Sequence, residues 1–224
     1  MKKRCYIAGA GDFCKNILPG KDDFVIAADG GYEALKSYGV NPDMVIGDFD
    51  SLDPMLHNEV MSHPNVLRSS SEKDDTDMML AVKQGFKLGC DKFIINGALG
   101  GRLDQTLANI QILGYIAKKG AIGILTGKGS NVTAIKNREL TISLISVKTG
   151  VVSVFSAGDT AEGVTLKGFK YPLNNALLNN TYPIGVSNEL KEKTGIISVK
   201  NGTLIIIFET SIEISYLSQM ITVL

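Results

Sequence analysis

The chain contains no tryptophan, two histidines and three cysteines in 224 residues. His57 and His63 lack a Cys or His neighbour at metal-ligand spacing, which argues against a zinc centre and against a Ser-His-Asp triad. Any metal is therefore expected to be a hard, oxygen-bound ion. Cys5, Cys14 and Cys90 form an odd set without CxxC spacing, and the opening MKKRCYIAGAGDF passes too quickly into Gly and Asp to read as a signal peptide. A reducing, cytoplasmic setting is the expectation. Charge of one sign is not in excess either: 23 Lys and Arg balance 23 Asp and Glu, so no global field is available to hold a nucleic acid or an anionic membrane. The longest apolar runs, such as LIIIF at 204–208, are far short of a membrane span.

What is present is an ordered alternation. RCYIAG (4–9), FVIAAD (24–29), DMVIGD (43–48) and KFIING (92–97) are strand-like runs ending in Gly or Asp. Helical patterns stand between and after them. GYEALKSYG (31–39) closes at Gly39. DTDMMLAVKQGFKLG (75–89) places Met78, Val82 and Phe86 on one face. In RLDQTLANIQILGYIAKKG (102–120), Leu103, Leu107, Ile110 and Leu113 form a stripe, and Lys118, Lys119 and Gly120 make a cationic, glycine-terminated end. This predicts an α/β domain with a largely parallel sheet and flanking helices over residues 1–135. From about 139 the texture changes to ELTISLISV, GVVSVFSA, GVTLKGF and IISVKNGTLIIIFE, which predicts a smaller all-β sandwich over 136–224. Asn201-Gly202 reads as a two-residue hairpin turn, and the polar stretch GSNVTAIKNRE as the join.

The strand ends are acidic. Asp48 and Asp50 follow MVI; in extended backbone, i and i+2 point to one side roughly 6.6 Å apart, close enough to share a cation. For a lone DxD a simple turn is the better explanation. Repetition favours the cation: Asp29 with Gly30 and Gly31 follows one run, and Asp74, Asp75 and Asp77 open a helix. Arg102, Asp104 and Gln105 follow the glycine turn of NGALGGRLDQ. In KDDTD, Asp74 or Asp75 serves as N-cap and Asp77 is left for an ion. Glycines, a helix start and an arginine suit an anionic phosphate, although no Walker A is present. GAGDF (9–13) reads as an ordinary strand-to-loop turn. Together these features point to a polyphosphate bridged by Mg²⁺ to carboxylates, and to phosphoryl or pyrophosphoryl transfer.

The ordered set AADGG (27–31), PDMVIGDFDS (42–51), KDDTD (73–77) and GGRLDQ (100–105), followed by GFKYPL (168–173) and GVSNE (185–189), resembles the thiamine pyrophosphokinase family over nearly the whole chain. Only IEISYLSQMITVL at the end has no counterpart there; it is either a final strand or an added tail. The resemblance implies a homodimer with sites between subunits that moves pyrophosphate from ATP to the thiamine hydroxyl and releases AMP. It further implies that Asp48, Asp50 and Asp77 hold Mg²⁺ and that Arg102 contacts the transferring group. Asp104 and Gln105 would shape the pocket, and Asp29, Gly30 and Gly31 would line the nucleotide. Asp74, Tyr171, Ser187 and Asn188 would meet thiamine, with Tyr171 stacking on the thiazolium cation. Asp77, Asp104 or water remain as acceptors of the hydroxyl proton. Two rivals are a non-catalytic nucleotide or thiamine sensor of the same fold and a dehydrogenase supported only by GAG at 9–11.

Overall fold

A computed structural model describes residues 3–49, 54–69, 74–145 and 149–214. The chain divides into two compact units, Met1–Asn109 with Leu125–Gly127, and Ile110–Ile124 with Lys128–Val223.

The first unit contains β1 (Lys3–Ala8), β2 (Phe24–Ala28), α1 (Gly31–Ser37), β3 (Met44–Gly47), α2 (Pro54–Met61), β4 (Val66–Arg68), α3 (Asp77–Lys87), β5 (Cys90–Asn96) and the start of α4 (Leu103–Lys118). Its strands are parallel, in the order β5-β1-β2-β3-β4. Their near-continuous apolar runs are what a parallel sheet with both faces covered requires. Tyr6, Ile7, Ile26, Ile46, Phe93, Ile94 and Ile95 are fully buried, and each such side chain contributes on the order of 1.5–3 kcal/mol. The chain steps outward from β1 to β4 and returns with β5 to the other side of β1. The order therefore reverses between β1 and β5, and in open α/β sheets ligands bind at the carboxyl ends of such a pair.

Two helices depart from expectation. Met78 and Val82 of α3 are buried and Phe86 packs on Phe93 at 4.7 Å between ring centroids, as the pattern predicts. The cap, however, is neither Asp74 nor Asp75. Thr76 is the N-cap, its hydroxyl accepting from Met79 N–H at 3.2 Å, because its extended backbone (φ −69°, ψ 157°) turns the oxygen onto the first helical turn. In α4 the predicted stripe is not the buried one. Leu103 is 82% and Leu107 57% exposed, while Asn109, Ile112, Leu113, Ile116 and Ala117 are buried. Six residues turn a helix by about 240°, so Leu103 and Leu107 lie roughly 120° off the face carrying Asn109 and Leu113. Gly120, at φ +78°, ends the helix as expected.

The second unit carries the start of β6 (Ile122–Thr126), then β7 (Ser130–Lys136), β8 (Glu139–Leu144), β9 (Val151–Ser156), β10 (Thr160–Lys167), β11 (Leu173–Asn179), β12 (Asn188–Glu189), β13 (Thr194–Ser198), β14 (Thr203–Glu209) and β15 (Ile212–Ile214). One layer runs β12-β9-β14-β7-β6, and the other, wholly antiparallel, runs β11-β10-β13-β8-β15. Strands β8 and β9 alternate buried with half-buried residues, the pattern of a sandwich. GSNVTAIKNRE is mostly β7, five of whose seven residues are buried. Asn201-Gly202 is not a hairpin: β13 and β14 lie in different layers. Asn137, at φ +49°, makes the same change of layer between β7 and β8, and the two corners bond through Gly202 N–H to Asn137 Oδ1 at 2.9 Å. Asn137 N–H also donates to Gly202 C=O at 3.2 Å, so the corners extend the β7–β14 pairing by one step, a long-range contact that dipeptide statistics cannot see. Ile212–Ile214 pairs with β8, so the end segment begins as a strand; residues 215–224 lie outside the described residues.

Candidate active site

The loops that follow β1 and β5 are bonded to each other rung by rung. Gly9 N–H donates to Asn96 C=O at 2.8 Å, Gly11 N–H to Gly97 C=O at 2.7 Å and Asp12 N–H to Leu99 C=O at 2.8 Å. The approach is so close that a Cβ on Gly97, which sits at φ +71°, would fall 2.3 Å from the Gly9 oxygen. GAGDF is thus one wall of the loop pair and not an independent turn. Beneath it, buried Asn96 accepts from Cys14 N–H and Gly97 N–H at Oδ1 and donates from Nδ2 to the Tyr6 hydroxyl and the Cys14 and Ile17 carbonyls. Burial raises the Tyr6 phenol well above its ordinary range, and it stays a neutral donor to Ile17 C=O. Neither residue is expected from the sequence; an asparagine directly after the apolar Phe93–Ile95 run of β5 is the available signal.

Asp29 leaves β2 in the left-handed region (φ +49°), with its N–H on Ile46 C=O at 2.8 Å and its C=O accepting from Tyr32 N–H. Gly30 and Gly31 follow, and a Cβ on Gly31 would lie 2.0 Å from the Ala8 oxygen, so helix α1 can start this close to β1 only with glycine there. Tyr32 is held behind the turn by its hydroxyl bond to Glu59, and burial followed by that bond pushes its pKa up to about 12.

Asp48, half-buried, is the first residue beyond β3. Asp50 lies outside the described residues. Ser69, just past β4, donates its N–H to Gly47 C=O at 2.9 Å and its hydroxyl to Asp77 Oδ1 at 2.8 Å. The first carboxylate of α3 is thereby tied to the strand end that carries Asp48, by a serine that no sequence pattern marks. Asp75 is paired with Lys83 at 2.6 Å, and Asp74 is exposed in the bend before the helix. Among the described residues no three of His, Cys, Asp and Glu converge as a complete metal site. The described donors, Asp48 and Asp77, are carboxylates, the chemistry that suits a hard divalent cation.

At the β5 end, Arg102 precedes α4, its C=O accepting from Thr106 N–H, and its guanidinium forms a two-bond pair with Asp104 at 2.6 and 3.2 Å. Both side chains are exposed, at 72% and 65%. The Arg102 bond, with Gln105 N–H, holds the Asp104 carboxyl below the usual carboxylate range. Gln105 is exposed beside them.

In the second unit, Tyr171 is 61% exposed over a groove it forms with Leu166, Leu173, Ile184, Gly185, Val186 and Asn188. Asn188 is buried and spends its amide on the backbone: Oδ1 accepts from Tyr171 N–H at 3.0 Å and Glu189 N–H at 2.9 Å, and Nδ2 donates to Tyr171 C=O at 2.7 Å. Ser187 occupies the left-handed region (φ +53°), its N–H on Ser153 Oγ. The Lys170 ammonium, paired with Glu189, stands 5.6 Å from the Tyr171 ring centroid, so the ring already carries a cation on one face. The groove encloses only about 60 Å³ and is too small to surround a drug-sized ligand by itself.

Residues 17–124 match the family described as thiamin pyrophosphokinase, catalytic domain, and residues 137–204 match thiamin pyrophosphokinase, vitamin B1 binding domain. A protein from Bacillus subtilis (strain 168) named thiamine pyrophosphokinase is 32% identical over 204 residues, 88% of this chain and 94% of its own. The crystal structure of thiamine pyrophosphokinase from Bacillus subtilis superposes with a TM-score of 0.81 at 30% identity, covering 93% of this chain and 99% of that one. That of thiamin pyrophosphokinase from Geobacillus thermodenitrificans gives 0.78 at 28% identity, over 92% and 97%. The α/β unit with a parallel sheet and the antiparallel second layer match these structures, and with both family models matched and about nine-tenths of its length covered, the chain belongs to the thiamin pyrophosphokinase family of enzymes.

Proposed function

We propose that the protein transfers a pyrophosphoryl group from ATP to the hydroxyl of thiamine, giving thiamine diphosphate and AMP, with Mg²⁺ as cofactor. The observation that carries this reading is the gathering of Asp29, Asp48, Asp77 and the Gly97–Arg102 loop at the carboxyl ends of one parallel sheet, in a chain of this family. Asp48, Asp50 and Asp77 would hold Mg²⁺, which when bound offsets charge on the ATP phosphates. Asp29, Gly30 and Gly31 line the nucleotide. Arg102 contacts the transferring group, and Asp104 and Gln105 shape its surroundings. The thiamine oxygen forms a bond to the β-phosphorus, the bond from that phosphorus to the α,β-bridging oxygen breaks, AMP leaves with that oxygen, and the hydroxyl proton is lost to water. Arg102 keeps Asp104 ionised and weakly basic, which favours Asp104 as a charge partner over Asp104 as the proton acceptor.

Tyr171 and Ser187 meet thiamine, Asn188 sets the groove beneath them, and Asp74 contributes from the α3 bend. The smallness of the groove supports a homodimer in which a second subunit completes the site. The cytoplasmic setting follows from the reduced cysteines expected of the sequence. Incubation with ATP, Mg²⁺ and thiamine is expected to yield AMP and thiamine diphosphate. Release of ADP, or tight thiamine binding without turnover, would contradict the proposal, the latter in favour of a sensor.

A further inference from the structure

We infer that Ser69 is a positioning residue for the Asp77 carboxylate, and so sets the affinity of the metal-binding group without itself touching the metal. The inference rests on the proposed role of Asp77.

Two bonds from one residue carry it. The Ser69 N–H on Gly47 C=O adds a rung beyond the last residue of β4 and registers the serine to the strand end from which Asp48 emerges. The Ser69 hydroxyl on Asp77 Oδ1, at 2.8 Å, reaches across to the first residue of α3. The helix does not need this bond to start, since Thr76 caps it through Met79 N–H, and Lys83 already engages the outer carboxylate, Asp75. What the hydroxyl fixes is the orientation of the Asp77 side chain. A donor on Oδ1 holds the carboxylate in one orientation and leaves Oδ2 as the oxygen to offer an ion. Outer partners of this kind typically change metal affinity or activity by about 10–100-fold when removed.

The test is Mn²⁺ affinity, read by electron paramagnetic resonance on the full chain with α,β-methylene-ATP, for wild type, Ser69→Ala, Ser69→Thr, Ser69→Val and Asp77→Asn. The rung to Gly47 is a backbone bond and survives every Ser69 change. Ser69→Ala is expected to weaken Mn²⁺ binding by about 10-fold and to raise the Mg²⁺ needed for half-maximal turnover in parallel. Ser69→Thr, which keeps the hydroxyl, should bind as wild type does. Thr and Val are nearly the same size, so if Ser69→Ala fails to fold, a loss in Ser69→Val that Ser69→Thr does not share supports the inference by itself. Wild-type affinity in Ser69→Ala, or in Ser69→Val, beside a loss in Asp77→Asn overturns the role of Ser69 and leaves the metal reading standing. Wild-type affinity in Asp77→Asn as well overturns both.

Discussion

Asn188 closes a two-bond ring with the backbone of Tyr171, accepting its N–H at 3.0 Å and donating to its C=O at 2.7 Å. The ring is buried on the Asn188 side and presents an exposed phenol on the other, so a polar core residue fixes the angle at which an aromatic surface is offered. Asn188→Ala would leave two N–H groups and a carbonyl without their partner. A loss of about 1–3 kcal/mol in urea denaturation is expected. The KM for thiamine should rise about tenfold, the equivalent of one such bond, with a smaller change in kcat.

Asp48→Asn should separate function from fold. The substitution is nearly isosteric and removes a charge from an acidic strand end, so stability should shift by less than about 1 kcal/mol. Turnover should fall by roughly 10²–10³-fold, as expected when several kcal/mol of charge compensation are lost. Unchanged kcat with lower stability would return Asp48 to the role of a turn residue.

Gly97→Ala and Gly114→Ala should move stability in opposite directions. At Gly97 the backbone is left-handed and the new methyl would lie 2.3 Å from the Gly9 oxygen, so a loss of roughly 2–4 kcal/mol is expected. Nothing lies within 4 Å of a Cβ built on Gly114, inside α4, where alanine should add about 0.5–1 kcal/mol. Thermal unfolding of the two variants checks both signs.

Tyr32 sets part of the alkaline limit of stability. Its pKa is raised from 10.0 to about 12 in the folded chain, so the folded state holds the proton more tightly than the unfolded one. The stabilisation is complete below 10.0 and is lost as pH rises through about 12. Tyr6, raised further by burial, acts in the same sense. Tyr32→Phe should therefore flatten, without abolishing, the fall in denaturation midpoint across this window; an unchanged slope would contradict it.

The sequence made the frame of the first unit legible because a parallel sheet demands unbroken apolar runs: β1, β2, β3 and β5 all stand out that way. Helix α2 and strand β4 do not, since α2 buries little beyond Val60 and β4 is a three-residue edge. Strand β11 escapes for a similar reason, with only Leu178 fully covered. The acidic residues proposed for the site stand out because repeated carboxylates at strand ends are electrostatically costly unless used. Their supports could not: Ser69 and Asn96 act through a single hydroxyl and a single amide whose partners are 8 and up to 90 residues away. No periodicity encodes such pairs.

The central claim is transfer of pyrophosphate as a unit, and labelled ATP tests it most directly. ATP carrying label at the β- and γ-phosphorus, incubated with the protein, Mg²⁺ and thiamine, should deliver both labels in equal amounts to thiamine diphosphate and leave AMP unlabelled. Transfer of the γ-label alone, with ADP as the second product, would contradict the account.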